Sequence, residues 1–298
     1  MDLMLLTVGD SIDRIFYQFD IAIFQFFASI QNSFLTVVAK LFTSFGDQAF
    51  IIPMVILGIG MLFFKRTRKF GLALVFAILV GTILTNVIIK PAVLRIRPYN
   101  TLQDVEFYWQ AYLGAGSLSE SDYSFPSGHT TGAFEMAIAV FLVFWSEGKK
   151  KIAWVFPALA LCTMGSRIYL MVHYPTDVLA GMIVGIVAGI AGYYMMKGIM
   201  HLISKSDKLS NADLAQLKCL KWCKGKAGAA VITVVVLAAF LYSFIPVLSE
   251  GGADTVRCAY SGAYDCYNAA KVDDPDYPPI DGKEYCKIHW KELMGENE

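Results

Sequence analysis

Residues 152–198 read IAWVFPALALCTMGSRIYLMVHYPTDVLAGMIVGIVAGIAGYYMMKG. Two apolar runs, 152–172 and 177–198, lie back to back with His173-Tyr174-Pro175-Thr176 between them. Each has about the 20 residues that a helix needs to cross a hydrocarbon core of about 30 Å. Pro175 disfavours helix at Tyr174 but suits the first turn of a following helix, so the chain is predicted to turn here and return. The turn also carries chemistry: Arg167 precedes it, His173 opens it, and Asp177 lies four residues past the histidine. A carboxylate that accepts a hydrogen bond from one imidazole nitrogen keeps the other free of its proton, and that free nitrogen is a nucleophile. Asp177 is spaced to hold His173 in this way.

The chain around this hairpin is of the same kind. Of its 298 residues 56% are hydrophobic, and the mean hydropathy is positive at +0.52. The formal net charge is zero, so no global field recruits nucleic acid. Further apolar runs at 49–64, 70–89, 130–146 and 227–248 predict an all-α, polytopic membrane helix bundle of about six spanning helices. Residues 1–48 form an N-terminal interfacial or spanning segment, read as amphipathic helices broken near Gln31-Asn32-Ser33 because polar residues interrupt the run. The membrane core is expected at 49–198, followed by a basic linker (199–226), a further transmembrane helix (227–248) and an acidic, Cys-containing tail (249–298). Asp2, Asp10, Asp13 and Asp20 at the start predict no cleavable signal peptide.

Charge sets the expected topology. Lys65 to Lys69, Lys149 to Lys151, and the lysines from Lys197 to Lys226 mark three loops as cytoplasmic. The segment from Lys90 to Phe125, the turn at His173 and the tail then share the extracytoplasmic face. The tail holds eleven acidic against five basic residues, and the run Asp273-Asp274-Pro275-Asp276 predicts irregular chain there. Cys162 reads as a small hydrophobe in a helix. Cys219 and Cys223 lie in basic sequence, while Cys258, Cys266 and Cys286 lie in the tail, where two could pair, or the three could join His289 around a metal; their spacing matches no standard zinc pattern.

Three segments meet on the outer face. In Lys90-Pro-Ala-Val-Leu-Arg95-Ile-Arg97-Pro98 the prolines favour an extended path that lets the cations point toward the membrane mouth; alone, the segment reads as a grip on lipid headgroups. In Ser124-Phe-Pro-Ser127-Gly128-His129 the helix start offers free N–H groups to an anion, although Ser127 is equally an ordinary N-cap. The third segment is the hairpin turn, where Arg167 alone would be a snorkelling cation. Two histidines on one face with three or four cations are much harder to explain by structure alone.

Together, Lys90-x6-Arg97-Pro98, Pro126-Ser127-Gly128-His129 and Ser166-Arg167-x5-His173-x3-Asp177 resemble the three signature motifs of the type 2 phosphatidic acid phosphatase (PAP2) family, whose core is shared with vanadium haloperoxidases. The resemblance spans about residues 49–198. It implies a membrane phosphatase acting on a lipid phosphate or diphosphate, such as undecaprenyl diphosphate, phosphatidate or phosphatidylglycerophosphate. His173 would attack phosphorus, Asp177 would orient its ring, and His129 would protonate the leaving oxygen. Lys90, Arg97 and Arg167, with the Ser127 hydroxyl and the Gly128 N–H, would hold the other oxygens. No cofactor or metal is implied, and Asp104, Glu106, Glu120 and Asp122 form no evident ligand set. Expected partners are a lipid substrate and the bilayer. Outside the motifs, Arg95 is expected to contact headgroups, Ser166 to support the phosphate pocket or packing rather than act as a nucleophile, and Glu135 to make a buried hydrogen bond. A lipid phosphotransferase using an alcohol acceptor and a non-catalytic lipid-phosphate binder are the alternatives.

Overall fold

The computed structural model describes residues 7–120, 122–217, 220, 225–249, 255–257, 259–260, 269–271, 277–285 and 287–295. The cysteines at 219, 223, 258, 266 and 286, and residues 273–276, lie outside the described residues.

Helix α1 (Val8–Ser29) opens with a capping box in which Thr7 and Asp10 satisfy each other's backbone N–H. The chain then breaks at Gln31-Asn32, where Asn32 caps α2 (Ser33–Thr43) by accepting from the Leu35 N–H at 2.9 Å. A short turn, Ser44–Gly46, leads to α3 (Gln48–Leu62), capped by Asp47. Helix α4 (Arg68–Thr82) passes into a π-helical stretch, Ile83–Ile89, and on into α5 (Lys90–Val93). Then come α6 (Pro98–Thr101), α7 (Glu106–Gly114), α8 (Gly128–Ser146), α9 (Lys150–Ala153), α10 (Val155–Tyr169) and α11 (Pro175–Ser204). Helices α12 (Asp207–Asn211) and α13 (Lys226–Ser249) follow. The tail holds a two-stranded antiparallel ribbon, β1 (Thr255–Arg257) with β2 (Ala269–Lys271), and α14 (Lys287–Met294).

Five helical stretches among the described residues are long and apolar enough to cross a membrane, and six if the bent pair α2/α3, angled by 40°, is one span. The chain is a multi-pass, all-α membrane protein. Helix α1, which carries Asp10, Asp13, Arg14 and Asp20, is not among the candidate spans.

At the centre, α11 packs on α8 and α4 through glycines. Gly181, Gly185 and Gly189 recur every four residues and turn a bare backbone face toward α8. A Cβ at Gly185 would sit 2.6 Å from the Phe134 Cβ and 2.7 Å from the Thr131 carbonyl oxygen. At one end of this bundle a second core forms from α1, α7 and the α10–α11 turn, built on Phe24, Tyr108, Tyr112, Leu170, Met171 and Val172. Phe24 meets Tyr108 edge to face at 5.0 Å. This aromatic cap buries the hairpin turn.

The 90–98 segment departs from its expected extended path. Pro91 stands in the first turn of α5, directly after the π-helical stretch. There the backbone acceptors are shifted by one residue, so that Lys90 N–H bonds to the Thr85 carbonyl and the wider coil accommodates the proline ring. The helix ends only at Leu94, whose φ of 56° is left-handed. That reversal sends Arg95 and Arg97 in different directions.

The glycine stripe predicts opposite signs at two positions of one helix. Gly185→Ala should lower the unfolding free energy in detergent by about 1–3 kcal/mol, because α8 cannot retreat. Gly198→Ala, with nothing within 4 Å, should leave it equal or raise it by about 0.5–1 kcal/mol.

Candidate active site

Lys90, Arg97, Gly128, His129 and Arg167 line one cavity of about 1380 Å³, together with Glu120, Asp122 and Asp47. Each comes from the same end of the bundle: Lys90 and Arg97 follow α4, Gly128 and His129 begin α8, and Arg167 is in the last turn of α10. His173 and Asp177 stand directly behind the cations, both fully buried.

The guanidinium of Arg97 organises the centre. Its Nη1 donates to His173 Nε2 at 2.9 Å. A guanidinium has no acceptor, so Nε2 must present its lone pair and the ring proton resides on Nδ1. Nδ1 lies 3.5 Å from Asp177 Oδ2 and 3.3 Å from Ser124 Oγ. Ser124 in turn donates to Asp177 Oδ2 at 2.5 Å, and the Tyr174 N–H reaches the same oxygen at 3.0 Å. The carboxylate is therefore held by the start of its own helix and by the loop before α8. Burial, then the Arg97 and Arg167 charges, push the His173 imidazole well below its ordinary range, so it is neutral at physiological pH.

Two carboxylates fill the space between the cations. Glu120 binds Arg97 Nη2 at 2.5 Å and also Arg167 Nη2, and it lies 3.7 Å from His129 Nδ1. Asp122 binds both Lys90 and Arg97. Burial opposes the ionised form of Glu120, but the Arg167 and Arg97 charges outweigh it and hold its pKa well below the usual carboxylate range. Asp122 is likewise lowered, by Arg97 and Lys90 against burial. Arg167 spends Nη1 on Thr43 at 2.7 Å, and its Nε has no partner among the described residues. His129 Nε2 is 3.4 Å from Asp47 Oδ2. Three cations converging on two exchangeable carboxylates can hold an oxyanion carrying two charges, with a neutral imidazole nitrogen at its side.

Several expectations change. Arg95 does not touch headgroups: it is 1% exposed and binds Asp13, Asp20 and Asp177, because the reversal at Leu94 turns it inward under α1. Ser127 is buried and outside the cavity lining; its hydroxyl oxygen accepts from the Thr130 hydroxyl at 3.0 Å and caps α8. Among the described residues Glu135 Oε2 has no hydrogen-bond partner, and it nests against Gly81 where a side chain would otherwise stand. It lines the same cavity, seven residues along α8 from Gly128 and on its face. Ser166 takes the packing role of its two expected ones, donating to the Thr163 carbonyl at 2.6 Å within its own helix. Sequence reasoning missed Glu120 and Asp122 as partners of the cations, Ser124 as a bridge, Asp47 beside His129, and the α1 aspartates. The available signal was that Asp13 and Asp20, seven residues apart in an amphipathic helix, share a face.

Residues 70–200 match the model of the PAP2 superfamily. The chain is 32% identical over 184 residues to phosphatidylglycerophosphatase B of Bacillus subtilis, covering 59% of this chain and 80% of the relative. It is 30% identical to an undecaprenyl-diphosphatase of Sulfolobus acidocaldarius, covering 56% and 73%. The crystal structure of a transmembrane PAP2-type phosphatidylglycerolphosphate phosphatase from Bacillus subtilis superposes with a TM-score of 0.51 at 26% identity, covering 66% of this chain and 92% of that one. By its motifs, its fold and the extent of these matches, the chain belongs to the PAP2 superfamily.

Proposed function

We propose that this phosphatase hydrolyses a membrane lipid phosphate or diphosphate through a phosphohistidine on His173. The observation that carries the reading is the lone pair of His173 Nε2, aimed at Arg97 and bordering the Lys90–Arg97–Arg167 cluster. A substrate phosphate would replace the Glu120 and Asp122 carboxylates on these cations. With Arg97 Nη1 transferred from Nε2 to a phosphate oxygen, His173 Nε2 attacks phosphorus in line as the bond to the leaving oxygen breaks, and His129 gives that oxygen a proton. In the second step water attacks the phosphohistidine, gives a proton to His129, and frees inorganic phosphate and His173. Both steps need positioning and neutralised equatorial charge, which fixed cations supply. The Gly128 N–H at the start of α8, which lines the same cavity, completes the anion site.

The catalytic unit in this reading is 49–198, with the linker, last helix and tail appended. Ile51, Ile52, Val55 and Ile78 continue the cavity between helices, a path suited to a lipid tail. Undecaprenyl diphosphate and phosphatidylglycerophosphate, the substrates named for relatives, both fit a phosphate at the interface with its tail in the bilayer. The site stands at the helix ends opposite Lys65–Lys69 and Lys149–Lys151, which supports an extracytoplasmic active site in the cell membrane.

Phosphate release from both lipids by purified protein in detergent with EDTA tests the function. His173→Ala should abolish release while lipid binding persists, and His129→Ala should slow it by about 10²–10⁴-fold. Turnover surviving in His173→Ala would refute the mechanism. Because His173 is protonated only well below its ordinary pKa, activity should persist as pH falls through 6.5, with the acid limb of kcat/KM lying lower. Glu120→Gln should tighten inhibition by inorganic phosphate about tenfold, the worth of one charge-assisted bond; an unchanged inhibition constant would mean that the carboxylate does not occupy the phosphate's place.

A further inference from the structure

Asp177 has a second oxygen that the phosphohistidine reading does not use. Oδ1 faces away from the imidazole and accepts from Arg95 Nη1 at 2.5 Å. The same guanidinium donates through Nη2 to Asp20 Oδ2 at 2.9 Å and through Nε to Asp13 Oδ1 at 2.8 Å. Its carbon sits 3.8 Å from the centre of the Tyr174 ring. Thr176 closes the cluster: its N–H and hydroxyl donate to the two oxygens of Asp20 at 2.9 and 2.8 Å, and its Oγ1 accepts from Arg95 Nη1 at 2.7 Å. Arg95, Asp20 and Asp177 are each at most 2% exposed.

Both extra carboxylates come from α1, on one face and seven residues apart. Gly9, four residues before Asp13, brings that face onto the Arg95 backbone, for a Cβ there would lie 2.6 Å from the Arg95 Cα. One cation is thus divided among three carboxylates. An arginine paired with Asp177 alone would form a forked, charge-neutral pair and draw the carboxylate's charge away from the ring. Asp20 and Asp13 oppose that. On the far side of His173 stand Arg97, Arg167 and Lys90, partly offset by Glu120, so the ring's need for negative charge falls on Asp177.

We propose that Asp20, supported by Asp13, is a positioning residue: by sharing Arg95 it leaves Asp177 the charge and orientation that the His173 ring requires when its Nε2 takes the phosphoryl group and the ring becomes cationic. Helix α1 is then a working part of the active site. The inference rests on the phosphohistidine reading and adds a part to it.

The test uses the full-length protein in detergent, with phosphatidylglycerophosphate or undecaprenyl diphosphate, whichever is turned over faster. Asp20→Asn should lower kcat about tenfold or more with KM changed by less than about twofold. Removing a negative charge weakens the hold of the imidazole on a proton, so the acid limb of kcat/KM should also move to lower pH. Asp20→Glu should recover most of the rate. An unchanged kcat, or a fall with the limb unmoved, overturns the proposal, since mere docking of α1 would not move the limb. Should Asp20→Asn not fold, Asp13→Asn, whose carboxylate is 30% exposed, reads the same contact: a smaller shift of the same sign supports the proposal and no shift overturns it. Asp177→Asn separates the layers. Loss of turnover there beside a silent Asp20→Asn overturns only the role of α1, whereas a silent Asp177→Asn overturns the mechanism beneath it.

Discussion

A guanidinium or ammonium taken out of water must be paired, and the architecture at one end of this bundle follows from four such groups. Lys90, Arg95, Arg97 and Arg167 are all at most 7% exposed, where an unpaired charge would cost several kcal/mol. Five carboxylates answer them, and the five are of two kinds. Asp13, Asp20 and Asp177 sit on helices and hold Arg95 in a closed cluster. Glu120 and Asp122 sit on the loop between α7 and α8 and face the cavity. The first set closes behind the His173 ring, with the other oxygen of Asp177 turned to the imidazole. The second neutralises a clamp whose cations could exchange a carboxylate for a phosphate at little net change in charge.

Backbone proximity makes this pairing possible. The α11 glycines draw α8 close, and with it the Ser127–His129 start, whose Ser127 N–H bonds to the Asp177 carbonyl at 3.1 Å. The two halves of the candidate site are thereby joined by a main-chain hydrogen bond rather than by side chains alone. Ser124 is tied in the same way, its N–H donating to the Arg95 carbonyl at 2.8 Å. The aromatic cap of Phe24, Tyr108 and Tyr112 then seals the turn from water, which leaves His173 neutral and its two nitrogens distinct.

The division of labour between neighbouring arginines illustrates how little local sequence says about direction. Arg95 and Arg97 are two residues apart, and in an extended strand both would point to one side. The left-handed Leu94 and the extended Arg97 backbone place them instead on opposite sides of the His173–Asp177 pair. One binds the carboxylate from behind and the other meets the imidazole from the front.

Much of the fold was legible in the chain because membrane spans declare themselves by length and hydropathy, which are local properties. The apolar runs, the turn forced by Pro175, the helix start at Ser127-Gly128 and the break at Gln31-Asn32 all depend on residues within a few positions of one another. The co-occurrence of Lys90, Arg97, His129, Arg167, His173 and Asp177 was legible as a family pattern for the same reason. What only the tertiary structure decided was which acid meets which base. Asp20 lies 75 residues from Arg95 in the chain, and Glu120 lies 47 from Arg167; nothing local links them. Such pairs form because burial makes every unmatched charge costly, and the identity of each partner is settled only when helix packing brings the two within reach.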